Sequence, residues 1–467
     1  MIEGGLVIPL DDLLKTNGPD IANNISSTLD FSRKNWSQGQ NKLYFLPAEV
    51  QAKPVSYYPD IGMGALIRWE FYKEIGAPEI SSPDDLLNVL KQIVDKHSTT
   101  EDGKKIYGVS FWSDWGLWQY VFPMFWYKGE RTDNSDFMVK QVGAKQYTNM
   151  LTDTNSTYWE ALKYYYKAKQ MGLLDPDALT MKSDDYSAKM TAGQYVSGIV
   201  TWAVGEFNNN NAKDGKGFVT IPNTEGFSFS GGVSPAGWVD KTYAITKSSK
   251  HPEKAMELLN YLYSYDGART MHSGVEDVHW MMKDGKPQLT DEAIKLKSEG
   301  GDELYKTGIG LDANFIGLGE MVTHPGDGMQ LNLFNTPEVY QKGMTALHKD
   351  FSDYYKVPYP GKIWEDRLEA GQLTDANTVL KGMTNEEILA ENTIALPIVP
   401  DDMKKIEARL KDLGAKYAAN VILSKNDAEF EENKNKAIVA FKDAGADQYT
   451  DWYTKAYAEA RVAAGAK

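Results

Sequence analysis

The sequence predicts an α/β protein of two lobes with a helical C-terminal part, and three observations carry that prediction. The chain has 467 residues, more than one hydrophobic core ordinarily serves. Over its first two-thirds, short apolar runs bounded by Gly and Pro alternate with segments of helical period, the pattern of βα units with mostly parallel strands. The last third keeps the helical period throughout.

Taken in order, residues 6–14 read as the end of an extended segment entering a short helix. Residues 41–49 form an apolar strand stopped by Pro47, and residues 64–70 a second strand followed by Phe71-Tyr-Lys-Glu-Ile-Gly76. Ser82 and Pro83 start a helix, because Pro suits the first helical position and Asp84 and Asp85 suit the positive helix end. Its stripe of Leu86, Leu87, Leu90, Ile93 and Val94 has the helical period. Ser156 caps a helix carrying Trp159, Leu162 and Tyr166 that stops at Gly172. Residues 196–202 and 217–222 read as apolar strands, and 237–246 alternate as a third. Pro252 opens a helix through Ala255, Leu258, Leu259 and Leu262. Residues 401–421, with Ile406, Leu410, Leu413 and Tyr417 three or four apart, and residues 429–444 and 447–462 are helices with solvated Lys and Glu faces.

Between these elements lies the most unusual stretch. A short β-like run at 106–111 is followed at once by nine aromatics between Phe111 and Tyr127, four of them Trp. Flat, apolar, weakly negative aromatic faces match the C–H faces of sugar rings, while neighbouring carboxylates and amides hydrogen-bond hydroxyls. Trp112 and Trp115 flank Asp114 at a strand-to-helix junction, the mixture a ligand pocket needs. Trp118, Phe122, Phe125 and Trp126, at helical spacings, fit the buried face of a helix instead.

Composition excludes several classes of function. The chain is 42% apolar and 25% charged, with a mean hydropathy of −0.47 and no apolar run of membrane-spanning length. A net charge of −15 opposes binding to nucleic acid or an anionic membrane and favours a neutral ligand. With no cysteine there is no thiol catalysis, disulfide or zinc–thiolate site, which suits export independent of redox state. Met1-Ile-Glu-Gly-Gly lacks the basic and apolar regions of a signal peptide, so the protein is either cytoplasmic or has lost its true start.

No motif supports catalysis. Gly232-Val-Ser-Pro-Ala236 has the outline of a nucleophile elbow, but Pro235 removes the N–H that an oxyanion would use. His272 and His279 have no HExxH pattern, and neither a phosphate-cradling nor a dinucleotide motif is present. Residues 99–104 contain the Asp-Gly turn of a calcium loop without its series of oxygen ligands. No catalytic residue, metal or cofactor is assigned.

The order of segments is similar to that of the family 1 extracellular solute-binding proteins of ABC sugar importers. Lys42-Leu-Tyr-Phe-Leu-Pro47, Leu66-Ile-Arg-Trp-Glu-Phe-Tyr-Lys-Glu-Ile-Gly76, Ser82-Pro-Asp-Asp-Leu-Leu87 and Gly108-Val-Ser-Phe111 resemble its first half. Tyr243-Ala-Ile-Thr-Lys-Ser-Ser-Lys-His-Pro-Glu-Lys-Ala-Met-Glu-Leu-Leu259 resembles its second. Gly274-Val-Glu-Asp-Val-His-Trp280 with Asp284-Gly-Lys286 is similar to its large Gram-positive lipoprotein branch.

The resemblance implies a two-lobed periplasmic-binding-protein-like clamp, with residues 1–109 and 238–300 in lobe I and 110–237 and 301–467 in lobe II. It implies a non-enzymatic, extracytoplasmic receptor, a cell-surface lipoprotein or periplasmic protein and a monomer. Such a receptor delivers an oligosaccharide to ABC transporter permease subunits and touches the membrane only through a lipid anchor absent from this chain. A glycoside-active enzyme using the same aromatic cleft and a sugar sensor for a membrane kinase are the alternatives. Family members carry a strand, helix and strand ahead of a segment like 5–12, so a first lobe lacking its N-terminal strands is expected.

Carried onto matching positions, the resemblance places Tyr44 and Glu49 at a cleft-facing strand end, although a solvated loop acid also explains Glu49. It places Trp112, Asp114 and Trp115 just after a crossover. Trp202 and Glu206 follow a strand in the manner of a cleft Trp, and burial explains Trp202 as well. Trp238 beside Gly237 stacks on sugar or packs the hinge. Arg68 reads as a structural ion pair, Trp280 as core or rim, and Asp312 and Asn314 as polar lining.

Overall fold

The computed structural model describes residues 1–51, 64–132, 135–222, 226–227, 237–310 and 317–466; for 123, 125–127, 226–227, 238–240 and 385 it describes the backbone alone. The 232–236 motif, Asp312 and Asn314 lie outside the described residues, as does the Trp238 side chain.

Two main hydrophobic cores organise the chain. The smaller gathers Leu10, Ile21, Leu29, Leu43, Leu46, Val50, Ile245, Met256, Tyr263, Leu318 and Leu331. The larger runs from Ala65 through Ile221 and resumes from Leu347 to Tyr457. The chain therefore passes between cores within 51–64, 222–244 and 332–346. These packing limits differ from the expected ones. Residues 65–109 belong to the larger core, because the stripe Leu86, Leu87, Leu90 and Ile93 of the helix Pro83–Lys96 is buried there against Thr157–Gln170. Conversely, Leu318 and Leu331 bury in the smaller one.

In the larger core, segments at 173–174, 107–109 and 195–198 lie parallel through the pairs Val109–Leu174 and Tyr107–Tyr195. Strand Ala65–Arg68 then runs antiparallel between Ser197–Gly198 and Phe218–Ile221. The expected parallel sheet is thus half realised. The strand reached from the other core enters from the opposite end, and every other described ladder except Leu373–Thr374 with Gly226–Phe227 is antiparallel.

In the smaller core, Ile8 donates its N–H to Ile245 O at 3.0 Å and Leu10 to Leu43 O at 2.7 Å. Strand Leu46–Ala48 pairs with Trp238–Tyr243. Pro47 does not stop this strand as expected. It lies inside it, and the missing N–H is accommodated by a register break directly after it. Gly237, at φ +70, faces that break; a Cβ there would lie 2.5 Å from Ala48 O.

Ser82 caps Pro83–Lys96 by accepting from Asp85 N. Ser156 sits at the start of Thr157–Gln170, but its hydroxyl donates to Met150 O rather than capping. The expected strand over 196–202 is only Ser197–Gly198, because the helix Thr201–Asn211 begins early enough to include Trp202. The C-terminal helices Asp401–Ile422, Asp427–Asp443 and Ala446–Ala464 match expectation. Arg68 pairs with Glu70 at 2.6 Å and lies over Phe71 and Phe207, the structural role expected. Trp280 is buried and donates to Gly274 O.

The helix Tyr265–Ser273 is tied to segment 327–333 by an almost fully buried Arg269–Asp327 pair and by Ser273 Oγ donating to Leu331 O at 2.7 Å. Asp327→Ala leaves the Arg269 charge buried without its carboxylate. It should lower unfolding stability by about 3 kcal/mol, read as a reduced urea midpoint; an unchanged midpoint would show that the pair does not hold this core.

Candidate aromatic binding site

The aromatic stretch is held in place by its polar residues. Ser113 N–H and Oγ both donate to Met181 O, at 2.8 and 3.0 Å. Asp114 accepts from Ser183 N at 3.1 Å and Ser183 Oγ at 3.4 Å, so it caps the helix Ser183–Thr191 from outside. Next comes Gly116, at φ +88, where a Cβ would lie 2.5 Å from Asp136 Oδ2. This turn leaves Trp115 42% exposed while Leu117 drops into the core.

Trp202, the second residue of Thr201–Asn211, is 52% exposed. Glu206, also exposed, lies one helical turn on and shares its face.

Three of the four tryptophans expected at the site come together. Trp115 and Trp202 are nearly parallel, with centroids 5.4 Å apart and planes inclined by 21°. Beneath them Trp112 is buried, only 1% exposed; it meets Trp115 and Tyr186 edge-on at 5.4 and 4.9 Å and Trp202 at a tilt of 59° and 5.6 Å. Trp118 adds a fourth indole, 6.1 Å from Trp115. Its expected role was core alone; it is half-buried and also borders the pair, which its three-residue spacing from Trp115 could have shown. Among the described side chains of Trp118–Lys128, Gln119, Tyr120, Val121 and Met124 are buried and Phe122 is half-buried; those of Phe125 and Trp126 lie outside the described residues. Trp112 therefore supports the surface and Trp115 and Trp202 are the surface. Such an arrangement offers two half-exposed indoles in fixed orientation, with the Asp114 carboxylate on the same loop.

Tyr44 and Glu49 are placed elsewhere, and no described contact joins them to the tryptophans. Tyr44 is buried, 6% exposed, and donates its hydroxyl to Gln40 at 2.7 Å. Glu49 is no solvated loop acid. It is half-buried at φ +55, a costly backbone for a non-glycine residue, and its Oε2 is buried with no hydrogen-bond partner. Burial, reinforced by the nearby Glu320 carboxylate, pushes its pKa up to about 7.

A folded state that holds a proton more tightly than the unfolded chain loses stability as pH rises from the ordinary carboxylate range, near 4.5, to about 7. The loss is on the order of 2 to 3 kcal/mol. Glu49→Gln should flatten this slope and raise Tm at pH 8 while changing it little at pH 4.5. An unaltered pH profile of thermal unfolding would contradict the burial of this acid.

A sequence profile described as bacterial extracellular solute-binding protein matches residues 1–269. No curated protein sequence matches the chain. Among solved structures, an alginate-binding protein without calcium ion superposes with a TM-score of 0.57 at 16% identity, covering 97% of this chain and 82% of that one. An HMO-binding, ABC-transporter-associated solute-binding protein from Bifidobacterium longum infantis gives 0.56 at 15% identity, covering 97% and 84%. An N-glycan transport solute-binding protein from Streptococcus pneumoniae gives 0.50 at 14%, covering 98% and 84%. At these identities the likeness is one of fold, the two-lobed clamp. With more than half of its length matched by the family's profile, the chain belongs to the bacterial extracellular solute-binding proteins.

Proposed function

We propose that this protein is the carbohydrate-binding receptor of an ABC importer, taking an oligosaccharide on the Trp115–Trp202 surface and presenting it to the permease outside the membrane. The observation that carries the reading is the pair of exposed, nearly parallel indoles resting on buried Trp112. Exposed tryptophans fixed in place lose little freedom on binding, so their contact area is available to a ligand. Sugar rings, with one apolar face and a hydroxyl rim, match exposed indole surface with the carboxylates of Asp114 and Glu206 close by in sequence. The named ligands of the similar folds, alginate, HMO and N-glycan, point the same way. Trp238 and Glu49 remain candidates for the opposing lobe, and closure of one lobe on the other is the transport-competent step. Among the described residues no helix is long and apolar enough to cross a membrane, and binding without turnover is the role proposed.

Thermal-shift and calorimetric titration with oligosaccharides tests this directly. A true ligand at about 100 times Kd should stabilise the protein by ~2.7 kcal/mol. Trp115→Ala and Trp202→Ala should each weaken binding by about tenfold or more. Absence of any response, or cleavage of the sugar, would contradict the proposal.

A further inference from the structure

A second aromatic pocket lies between the two cores, away from the Trp115–Trp202 pair. Its volume is about 510 Å³, within the range of small-molecule sites. One wall is the helix Ser26–Asn35 and its end, giving Phe31, Asn35 and Trp36; the other is Ala446–Ala464, giving Trp452 and Tyr453. Both walls are built. Phe31 meets Trp36 edge-on at 5.3 Å, and Tyr449, itself 1% exposed, supports Trp452 at 5.4 Å. Trp36 and Trp452 are each half-buried, so neither ring is fully covered.

A chain of polar contacts leads from the first site to this pocket. Gly116, adjoining Trp115, packs against Asp136. Asp136 follows Ser135, which lines the pocket, and faces Lys411 at 3.9 Å. Lys411 in turn pairs at 3.1 Å with Glu407, a second pocket-lining residue that accepts from Tyr449 OH at 3.0 Å. Two aromatic surfaces separated by hydrogen-bonding groups form a repeating pattern, and so do successive rings of an oligosaccharide.

We propose that the binding site continues from Trp115 and Trp202, past Asp136, Lys411 and Glu407, into the Trp36–Trp452 pocket, and that the ligand is an oligosaccharide long enough to reach both. This rests on the carbohydrate reading of the first site. The second pocket then sets chain-length preference, because only a long ligand engages both aromatic surfaces.

The test is calorimetric titration of the full chain with linear manno-, malto- and fructo-oligosaccharides, from disaccharide to hexasaccharide, using wild type, Trp115→Ala, Trp452→Ala and Trp36→Ala. Affinity should rise with length in wild type. Trp452→Ala and Trp36→Ala should each lose roughly three- to tenfold for the longest ligands and leave the shortest unchanged, whereas Trp115→Ala weakens all lengths. Equal loss at every length, or none, in the pocket variants overturns the extension while leaving the first site standing. Silence of wild type towards every sugar overturns the carbohydrate reading and the extension with it. Far-UV circular dichroism checks each variant; should Trp452→Ala fail to fold, Trp36→Ala on the opposite wall decides.

Discussion

The packing of buried Trp112 against Trp115, edge-to-face, and against Trp202, tilted by 59°, is the contact on which the proposed site depends. An exposed indole on a loop or a helix start would ordinarily turn to cover its apolar face. Here the ring below, closed in by Tyr186, fills that space, and both upper rings stay about half exposed. Aromatic pairs in such geometry contribute about 0.5–1.5 kcal/mol each beyond burial, enough to hold two rings in one orientation. The loop's polar residues complete the constraint: Ser113 and Asp114 fasten it to residues 181–183, and Gly116 supplies, at φ +88, a turn that a side chain would strain.

The two cores give this surface its purpose. The larger core, with the mixed sheet and C-terminal helices, carries the tryptophans; the smaller, locked by Arg269–Asp327, carries Glu49 and the Gly237 register break. Backbone strain and an uncompensated carboxylate gather at Glu49, beside the first passage between cores. Strain is tolerated where surrounding structure over-determines it, and the paired segments at Val50, Gly317 and Gly319 do so here.

Much of this was legible in the sequence, for physical reasons that can be named. The helix at Pro83 was visible because its cap, its N-terminal Pro and its apolar stripe agree, and the C-terminal helices because their period runs long. The tryptophan group was legible in part. Trp112 and Trp115 are neighbours in a conspicuous run, but their contact with Trp202 depends on strand pairing about 90 residues apart in sequence. Trp202 reads as the end of a strand because Val196, Ile199 and Val200 lead up to it, and short apolar runs do not reveal where a helix begins. The burial of Tyr44 was not legible, because an aromatic at a strand end reads equally as cleft or core. The limits of the two cores were hidden, since which sheet a strand joins is a tertiary fact. Trp36 and Trp452 stand at opposite ends of the chain, and nothing local marks them as facing walls.

The most direct measurement of the central claim is a crystal structure of the protein with a bound oligosaccharide. The account predicts a sugar ring with its C–H face against the indoles of Trp115 and Trp202, and Trp112 unmoved beneath them. A sugar bound elsewhere, with both indoles still facing solvent, would contradict it.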